Sequence, residues 1–203
     1  MNMITHICGG AMGIVVLLLC MGKALGTGST PAVIGALIYG ISMIALYTVS
    51  SIYHGMKPGY GKKVMQVVDH CTIYFLIAGS YTAVLLPGML LVYPDITRLL
   101  LTAEWTLAVL AAALTAIDLR IYRAFSMFCY IGMGWGIVFF LPQTLKVMTW
   151  AGFGLLLAGG IAYTIGAILY GIGSKKPWMH SVFHIFVVLG SFLQFLSIYF
   201  YAL

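Results

Sequence analysis

Charged residues are scarce in this chain, with 4 acidic and 10 basic side chains among 203 residues, or 7%. An ordinary soluble domain carries about 25% charged residues, so a water-exposed globular surface is excluded. Disorder is excluded too, because disordered chains are polar and highly charged. Only 4 cysteines and 24 unperiodic glycines leave no support for a disulfide-stapled or collagen-like fold. Apolar residues make up 63% of the chain, which indicates an integral membrane protein.

Charges and Gly/Pro clusters divide the chain into seven apolar stretches. A helix needs about 20 residues to cross roughly 30 Å of hydrocarbon. The stretches are continuously apolar rather than alternating, which disfavours a transmembrane barrel. The sequence therefore predicts an all-α integral membrane protein, a bundle of seven transmembrane helices in a single domain, 1–203. The expected spans are about 7–21, 31–54, 64–86, 99–116, 124–141, 150–172 and 178–201. No Lys or Arg precedes the first stretch, so we expect it to be retained rather than cleaved as a signal peptide.

The basic residues are unevenly divided between the two sides of this predicted bundle. The loops on the side of the N-terminus carry seven of them and the opposite side carries three: Lys57, Lys62, Lys63, Arg120, Arg123, Lys175 and Lys176 against Lys23, Arg98 and Lys146. Cytoplasmic loops are enriched in Lys and Arg. The pattern predicts a cytoplasmic N-terminus and an outer C-terminus. The net charge of +6 then reflects topology and contact with anionic lipid, and we expect no nucleic-acid partner.

Ionisable groups inside a membrane are costly and are candidates for function. His180 and His184 open the last span at i and i+4, which places both imidazoles on one helix face, a spacing that suits a metal ion. His54 ends the second span, and Ser50 lies one turn deeper on the same face. Asp69 lies near the start of the third span. The predicted topology puts four of these residues at the same cytoplasmic depth, as one site requires: His54, Asp69, His180 and His184.

Three neutral imidazoles and a water would make a four-coordinate zinc site with one open position, as in catalytic zinc sites. Asp69 could hold that water or orient a ligand, and Ser50 could bond the water or a substrate oxygen. Structural interpretations stay open for each group. His54 could sit in the headgroup zone, the His180/His184 pair could bond between helices, Asp69 could pair with Lys62 or Lys63, and Ser50 could join two helices. His6 is interpreted as interfacial, and His70 is left out because it points about 100° away from Asp69.

Two further groups of residues are interpreted structurally. The glycine clusters Gly9-Gly10, Gly132-x-Gly134-x-Gly136 and Gly159-Gly160 are typical of close helix packing, not of a phosphate loop. The other three acidic residues are expected in or near loops or span edges: Asp95, Glu104 and Asp118.

The set Ser50-x-x-x-His54, Asp69 and His180-x-x-x-His184 resembles the hemolysin III family, the bacterial branch of the progestin and adipoQ receptor (PAQR) superfamily. Ile4-Thr5-His6 and the segment from Phe183 to Val187 with Gly190-Ser191 also resemble it, and the likeness covers essentially the whole chain. The resemblance implies a zinc ion held by His54, His180 and His184, with Ser50 and Asp69 near the metal. Animal relatives are hormone receptors with a ceramide-hydrolysing activity. Gln194 stands where some relatives have a further histidine, which favours an open site.

The residues and the resemblance together favour a zinc-dependent intramembrane hydrolase acting on a lipid amide or ester, linked to membrane lipid homeostasis. The expected location is a bacterial inner membrane, with membrane lipids as substrate or ligand. The alternative is a non-enzymatic membrane sensor in which zinc is structural or regulatory. A pore-forming hemolysin is a third class, which the uniformly apolar chain argues against. The last span has no lysine in its middle, which excludes a retinal protein.

Overall fold

A computed structural model describes the backbone of residues 2–172 and 177–203 and the side chains of residues 5–172, 179 and 181–203. The described backbone is helical almost throughout and contains no strand. Seven of the described helices are long and apolar enough to cross a membrane. The all-α bundle of seven spans is thereby confirmed. Lys175 and Lys176, counted above in the sixth loop, lie outside the described residues.

We label the spans α1 to α7 in chain order, and three of them continue through irregular turns. The main helices are α1 Asn2–Thr27, α2 Thr30–Gly55, α3 Tyr60–Val84, α4 Pro94–Ile117, α5 Arg123–Trp135, α6 Trp150–Ile172 and α7 Pro177–Ser197. The continuations are a π turn Leu85–Met89 and a short helix Leu90–Val92 after α3, a 3-10 turn Gly136–Phe140 and a helix Leu141–Val147 after α5, and a π turn Ile198–Ala202 after α7.

The turn between α1 and α2 shows how the sequence sets the helix ends. Gly28 adopts φ +67°, a left-handed conformation that glycine tolerates without steric cost. The Ser29 side chain then accepts a hydrogen bond from the Ala32 N–H at 3.4 Å, and Pro31 occupies the first turn of α2. Proline fits there because its missing N–H has no partner within the helix. The chain can therefore reverse direction between α1 and α2 with almost no loop.

At several charged positions the helices run further than the expected spans. We expected the first span to stop at 21, but α1 continues through Lys23 to Thr27. The Lys23 ammonium donates to the Tyr199 carbonyl and lies 5.0 Å from the centre of the Tyr199 ring, so helix packing accommodates the charge. The fourth span begins at Pro94 rather than 99, because Asp95 lies in the first turn, where the helix dipole favours a carboxylate.

Glycines let the helices approach closely, but not at every glycine cluster. A Cβ at Gly9 would lie 2.4 Å from the Tyr47 ring, and one at Gly159 would lie 3.0 Å from the Gly190 carbonyl oxygen. Close packing is confirmed at these two positions. The prediction of close packing is wrong at Gly132, Gly134 and Gly160, where a Cβ would meet no atom within 4 Å. The glycines of α5 therefore leave open space beside the helix.

Glu104 is buried inside α4, not near a loop or span edge as expected. It lies ten residues into the helix and is 5% exposed. A Cβ at Gly136 would lie 3.5 Å from Glu104 Oε1 and 3.1 Å from the Tyr81 hydroxyl. That hydroxyl donates to the Met133 carbonyl and accepts the Ile137 N–H, both at 2.7 Å. The carboxyl therefore lies where α5 changes to a 3-10 turn.

Substitution of Gly40 tests the contact between α1 and α2. A Cβ there would lie 2.5 Å from Leu17 Cδ1 and 2.9 Å from Leu17 Cα, so Gly40→Ala forces the backbones apart. We expect a loss of about 1–3 kcal/mol in the free energy of unfolding, measured by thermal unfolding in detergent. Gly22→Ala is the matched control, because nothing lies within 4 Å of its Cβ. Equal melting temperatures for the two variants would contradict this packing.

Candidate metal centre

Three helices bring one imidazole each to the same end of the bundle, which we call the histidine end. His54 lies in the last turn of α2, His184 near the start of α7, and His6 near the start of α1. Because α2 runs opposite to α1 and α7, its end lies beside their beginnings. Three side chains that are distant in sequence therefore meet at one depth.

The three imidazoles are close enough to share a metal ion. Each offers one nitrogen, and the three nitrogens lie within 4.8 Å of one another. The ring centres of His54 and His184 are 4.9 Å apart, and those of His6 and His54 are 5.6 Å apart. Zinc holds histidine nitrogens at about 2.0–2.1 Å, which separates two ligands by about 3.3 Å. A set of imidazole donors of this size, with His6 and His184 buried and His54 partly buried, could hold a metal ion.

His6 is a member of this group, and its interpretation as an interfacial residue is wrong. Its side chain is 3% exposed, as is that of His184. His6 Nε2 lies 2.6 Å from His184 Nδ1, which is a hydrogen-bond distance and shorter than the separation of two zinc ligands. In this arrangement His6 contacts His184 through a ring nitrogen. Such contacts fix the tautomer and orientation of a ligating histidine.

His180, the other predicted ligand, has its side chain outside the described residues. Its backbone belongs to α7, one turn before His184. The roles predicted for His54, His180 and His184 as ligands stay predictions.

Ser50 and Asp69 meet beside the histidines. They lie at matching levels of the antiparallel pair α2 and α3, with the turn 56–59 between them. The Ser50 hydroxyl and the Asp69 carboxylate are neighbours at the wall of the same cavity. Ser50 is 3% exposed and the Asp69 side chain is 14% exposed. The carboxylate therefore lies at the edge of the cluster, within reach of the Ser50 hydroxyl.

The alternative of an interfacial ion pair for Asp69 is not seen. Lys62 donates to the Met56 carbonyl at 2.9 Å and lies 5.3 Å from the centre of the Tyr53 ring. Within the described part of the chain, the one ionisable partner recorded for Asp69 is His70, at 3.9 Å. His70, which sequence analysis left out, therefore borders the site.

A long cavity connects this cluster to the interior of the bundle. It measures about 210 Å³, whereas one ordered water needs only about 10–15 Å³ of such space. His6, Ser50, His54, Asp69 and His184 line its histidine end. The remainder of its wall is mostly apolar and extends along α3 as far as Val84 and along α6 from Tyr170 to Phe153. At 1.5 Å per residue, the 17 positions from Tyr170 to Phe153 correspond to about 25 Å.

The family profile described as "Haemolysin-III related" matches residues 1–195. The chain belongs to the haemolysin III family. Two bacterial members of this family match nearly its whole length. Hemolysin-3 of Bacillus cereus is 36% identical over 202 residues, which covers 100% of this chain and 90% of that protein. The Hemolysin-3 homolog of Bacillus subtilis (strain 168) is 34% identical over 200 residues, covering 98% and 92%.

The haemolysin III family also has a human relative among the matches. The monocyte to macrophage differentiation factor of Homo sapiens is 27% identical over 180 residues, covering 83% of this chain and 70% of that protein. It is a PAQR protein, so the resemblance to that superfamily is confirmed. No solved structure shows a significant match to this chain.

The metal content of the purified protein tests whether the three-histidine cluster binds a metal ion. We expect purified wild-type protein to hold close to one divalent ion per chain, and His54→Ala to lose it, because one of the few nitrogen donors disappears. His6→Ala should keep a metal site weakened about 10–100-fold, the usual effect of removing a group that orients a ligand. Competition with a chelator, followed by elemental analysis, measures both.

His70→Ala is the matched control, since His70 borders the same cavity but bonds the Gln66 carbonyl at 2.8 Å and is not part of the three-histidine group. Metal loss in this variant equal to that in His54→Ala would contradict the assignment.

Proposed function

We propose that this protein is a zinc-dependent hydrolase that cleaves an amide or ester bond of a lipid inside the membrane. The observation that carries the proposal is the cavity, which joins three imidazoles and a Ser50–Asp69 pair at one end to a long apolar channel at the other. A hydrolase for lipids needs both parts, because the scissile carbonyl is polar and the acyl chain is not.

The donor set fits zinc among the metals available to proteins. Imidazole nitrogens suit zinc, copper, iron and nickel, whereas magnesium and calcium prefer oxygen ligands. His54 and His184 would hold the ion together with His180, which the sequence motif adds. When bound, a divalent ion at such a site supplies Lewis acidity, lowering the pKa of a water and polarising a carbonyl. His6 would fix the ring of His184 by accepting or donating one hydrogen bond.

Asp69 would handle the proton in this reaction. Its carboxylate accepts the proton that an attacking water gives up and delivers it to the departing amine or alkoxide. The neighbouring Ser50 hydroxyl would keep the carboxylate oriented for both transfers. A positioned acid–base group of this kind contributes about 10²–10⁴-fold to a rate.

The apolar part of the cavity would take the acyl chain, because methylene groups lose no hydrogen bonds there. We propose that the lipid enters laterally between α5 and α6. Met127, Ile131 and Gly134 of α5 face the cavity, as do Gly160 and Ala167 of α6. We propose that the reaction takes place at the cytoplasmic leaflet of a bacterial inner membrane, with lipids supplied from the membrane itself. The basic-loop count supports this orientation.

A non-enzymatic sensor with structural zinc is the second candidate, and one specific observation favours it. His6 brings an additional imidazole to the cluster, and with His180 the site would have four histidines. Structural zinc is usually closed by four protein ligands, whereas catalytic zinc keeps an open position. In that case the ion would lock α1, α2 and α7 together.

Asp69→Asn separates the two candidates. The variant keeps the size of the side chain and its place beside Ser50, but it cannot take up a proton. If the protein is a hydrolase, release of fatty acid from ceramide or phospholipid substrates should fall at least 100-fold, while metal content and melting temperature stay unchanged. If the protein is instead a sensor with structural zinc, the wild type should release no fatty acid from any lipid that is supplied.

A bulky side chain placed in the apolar part of the cavity tests whether the acyl chain of the lipid binds there. Gly160 lines the cavity and has no atom within 4 Å of its Cβ position, so Gly160→Phe places a ring in the open space without a clash. We expect lipid turnover to fall more than tenfold with zinc retained. Gly154→Phe on the same helix is the control, since that position is equally open but does not border the cavity. Similar turnover in both variants would exclude the channel as the acyl site.

A further inference from the structure

The cavity has a second polar region, far from the histidines. Gln194 of α7 and Tyr163 of α6 both line it. Gln194 follows His184 by ten residues, which is about 15 Å along the helix axis. The neighbouring wall is apolar and includes Phe153 and Leu156. Two polar side chains therefore interrupt the channel near the middle of the bundle.

The Gln194 side chain is held in place by a glycine on the facing helix. A Cβ at Gly159 would lie 2.8 Å from Gln194 Cγ, so the stem of the glutamine occupies the space that a side chain at 159 would need. Gln194 lines the cavity. No hydrogen bond links it to any other residue that the structure describes.

The Tyr163 hydroxyl is held equally firmly. It lies 2.7 Å from Ser191 Oγ, and Ser191 also accepts a hydrogen bond from the Tyr47 hydroxyl at 2.7 Å. Ser191 precedes Gln194 by one helical turn, so the hydroxyl and the amide belong to the same seam between α6 and α7. A hydroxyl can donate one hydrogen bond and accept two, which leaves Tyr163 able to bond a group in the cavity.

A polar group that faces an apolar channel at this depth must find a partner, because an unsatisfied amide in hydrocarbon is costly. The hydrogen-bond partner of this amide is therefore a water molecule or a polar atom of the ligand. The partner is uncharged, since the one acidic residue among the described residues that line the cavity is Asp69 at the histidine end, and no Lys or Arg lines it. One hydroxyl group on the ligand has the hydrogen-bonding capacity to bond both the Gln194 amide and the Tyr163 phenol.

We propose that Gln194 and Tyr163 form a subsite for a hydroxyl group on the acyl chain of the substrate. This inference rests on the proposed lipid hydrolysis. The separation of about 15 Å from His184 corresponds to about 12 carbon–carbon bonds of an extended chain. The subsite therefore selects a chain that is hydroxylated near its twelfth carbon over the same chain without the hydroxyl.

Binding of free fatty acids tests the subsite without turnover. The probes are radiolabelled 12-hydroxyoctadecanoic acid and octadecanoic acid, bound to the full-length, zinc-loaded protein in detergent. We expect the wild type to favour the hydroxy acid three- to tenfold, the contribution of about one net hydrogen bond. Gln194→Leu should remove the preference. 2-Hydroxyoctadecanoic acid, whose hydroxyl lies near the histidines, should show no dependence on Gln194.

Gln66→Leu is the matched control, since Gln66 lines the cavity at the histidine end and its loss should leave the preference unchanged. Gln194→Met, which keeps the length of the side chain, provides a second apolar variant in case the leucine variant does not fold. The subsite is overturned if the wild type binds the two acids equally, or if the preference survives in both Gln194 variants.

The same binding experiment distinguishes failure of the proposed function from failure of the subsite. If octadecanoic acid does not bind at all, or if Gly160→Phe leaves its binding unchanged, the cavity is not an acyl site and the subsite falls with it. If octadecanoic acid binds and Gly160→Phe blocks it, a lack of preference removes the subsite alone.

Discussion

Hydrocarbon offers no hydrogen bonds, and this constraint shapes the protein at every level. A backbone in lipid must satisfy its own N–H and C=O groups, so every span is a helix. The few polar side chains must find partners among themselves, because no water is available beside them. The hydroxyls of Tyr47, Tyr163 and Ser191 form such a group in the middle of the bundle, and the three histidines form another at one end. Polar chemistry is therefore concentrated in the interior.

The same constraint explains why the candidate site lies where it does. His54, His184 and Asp69 all stand within two or three turns of a helix end, where the cost of polarity is smallest. The channel beyond them can be apolar because the helices that enclose it are themselves apolar. Membership of the haemolysin III family connects this arrangement with proteins of bacteria and animals.

The number and type of elements could be predicted because continuous apolar runs dictate helices in a membrane. The depth shared by His54, Asp69 and the start of the last span could be predicted too, since span direction alternates along the chain. His6 was noticed on the right side, but sequence could not show that α1 packs against α7 and buries it. Span ends were missed at Lys23 because a long side chain can reach a carbonyl and a ring from inside a helix. Packing between helices, which periodicity does not encode, accounts for these differences.

Gly9 and Gly159 also show that a glycine's role depends on its partner helix. Both accept close neighbours, whereas the glycines of α5 face open space. The same residue type that tightens the seams α1–α2 and α6–α7 leaves the side of α5 loosely filled. An apolar channel in the bundle follows from this difference in where the large side chains stand.

The burial of Glu104 has a consequence for how the chain is assembled in the membrane. A single α4 placed in lipid would present its carboxyl to hydrocarbon, whereas in the bundle that group lies beside the Tyr81 hydroxyl of α3 and the break in α5. Packing against its neighbours therefore lowers the cost of holding α4 in the membrane. The surroundings of Glu104 favour an assembly order in which α4 packs against α3 and α5 while the chain is still being inserted.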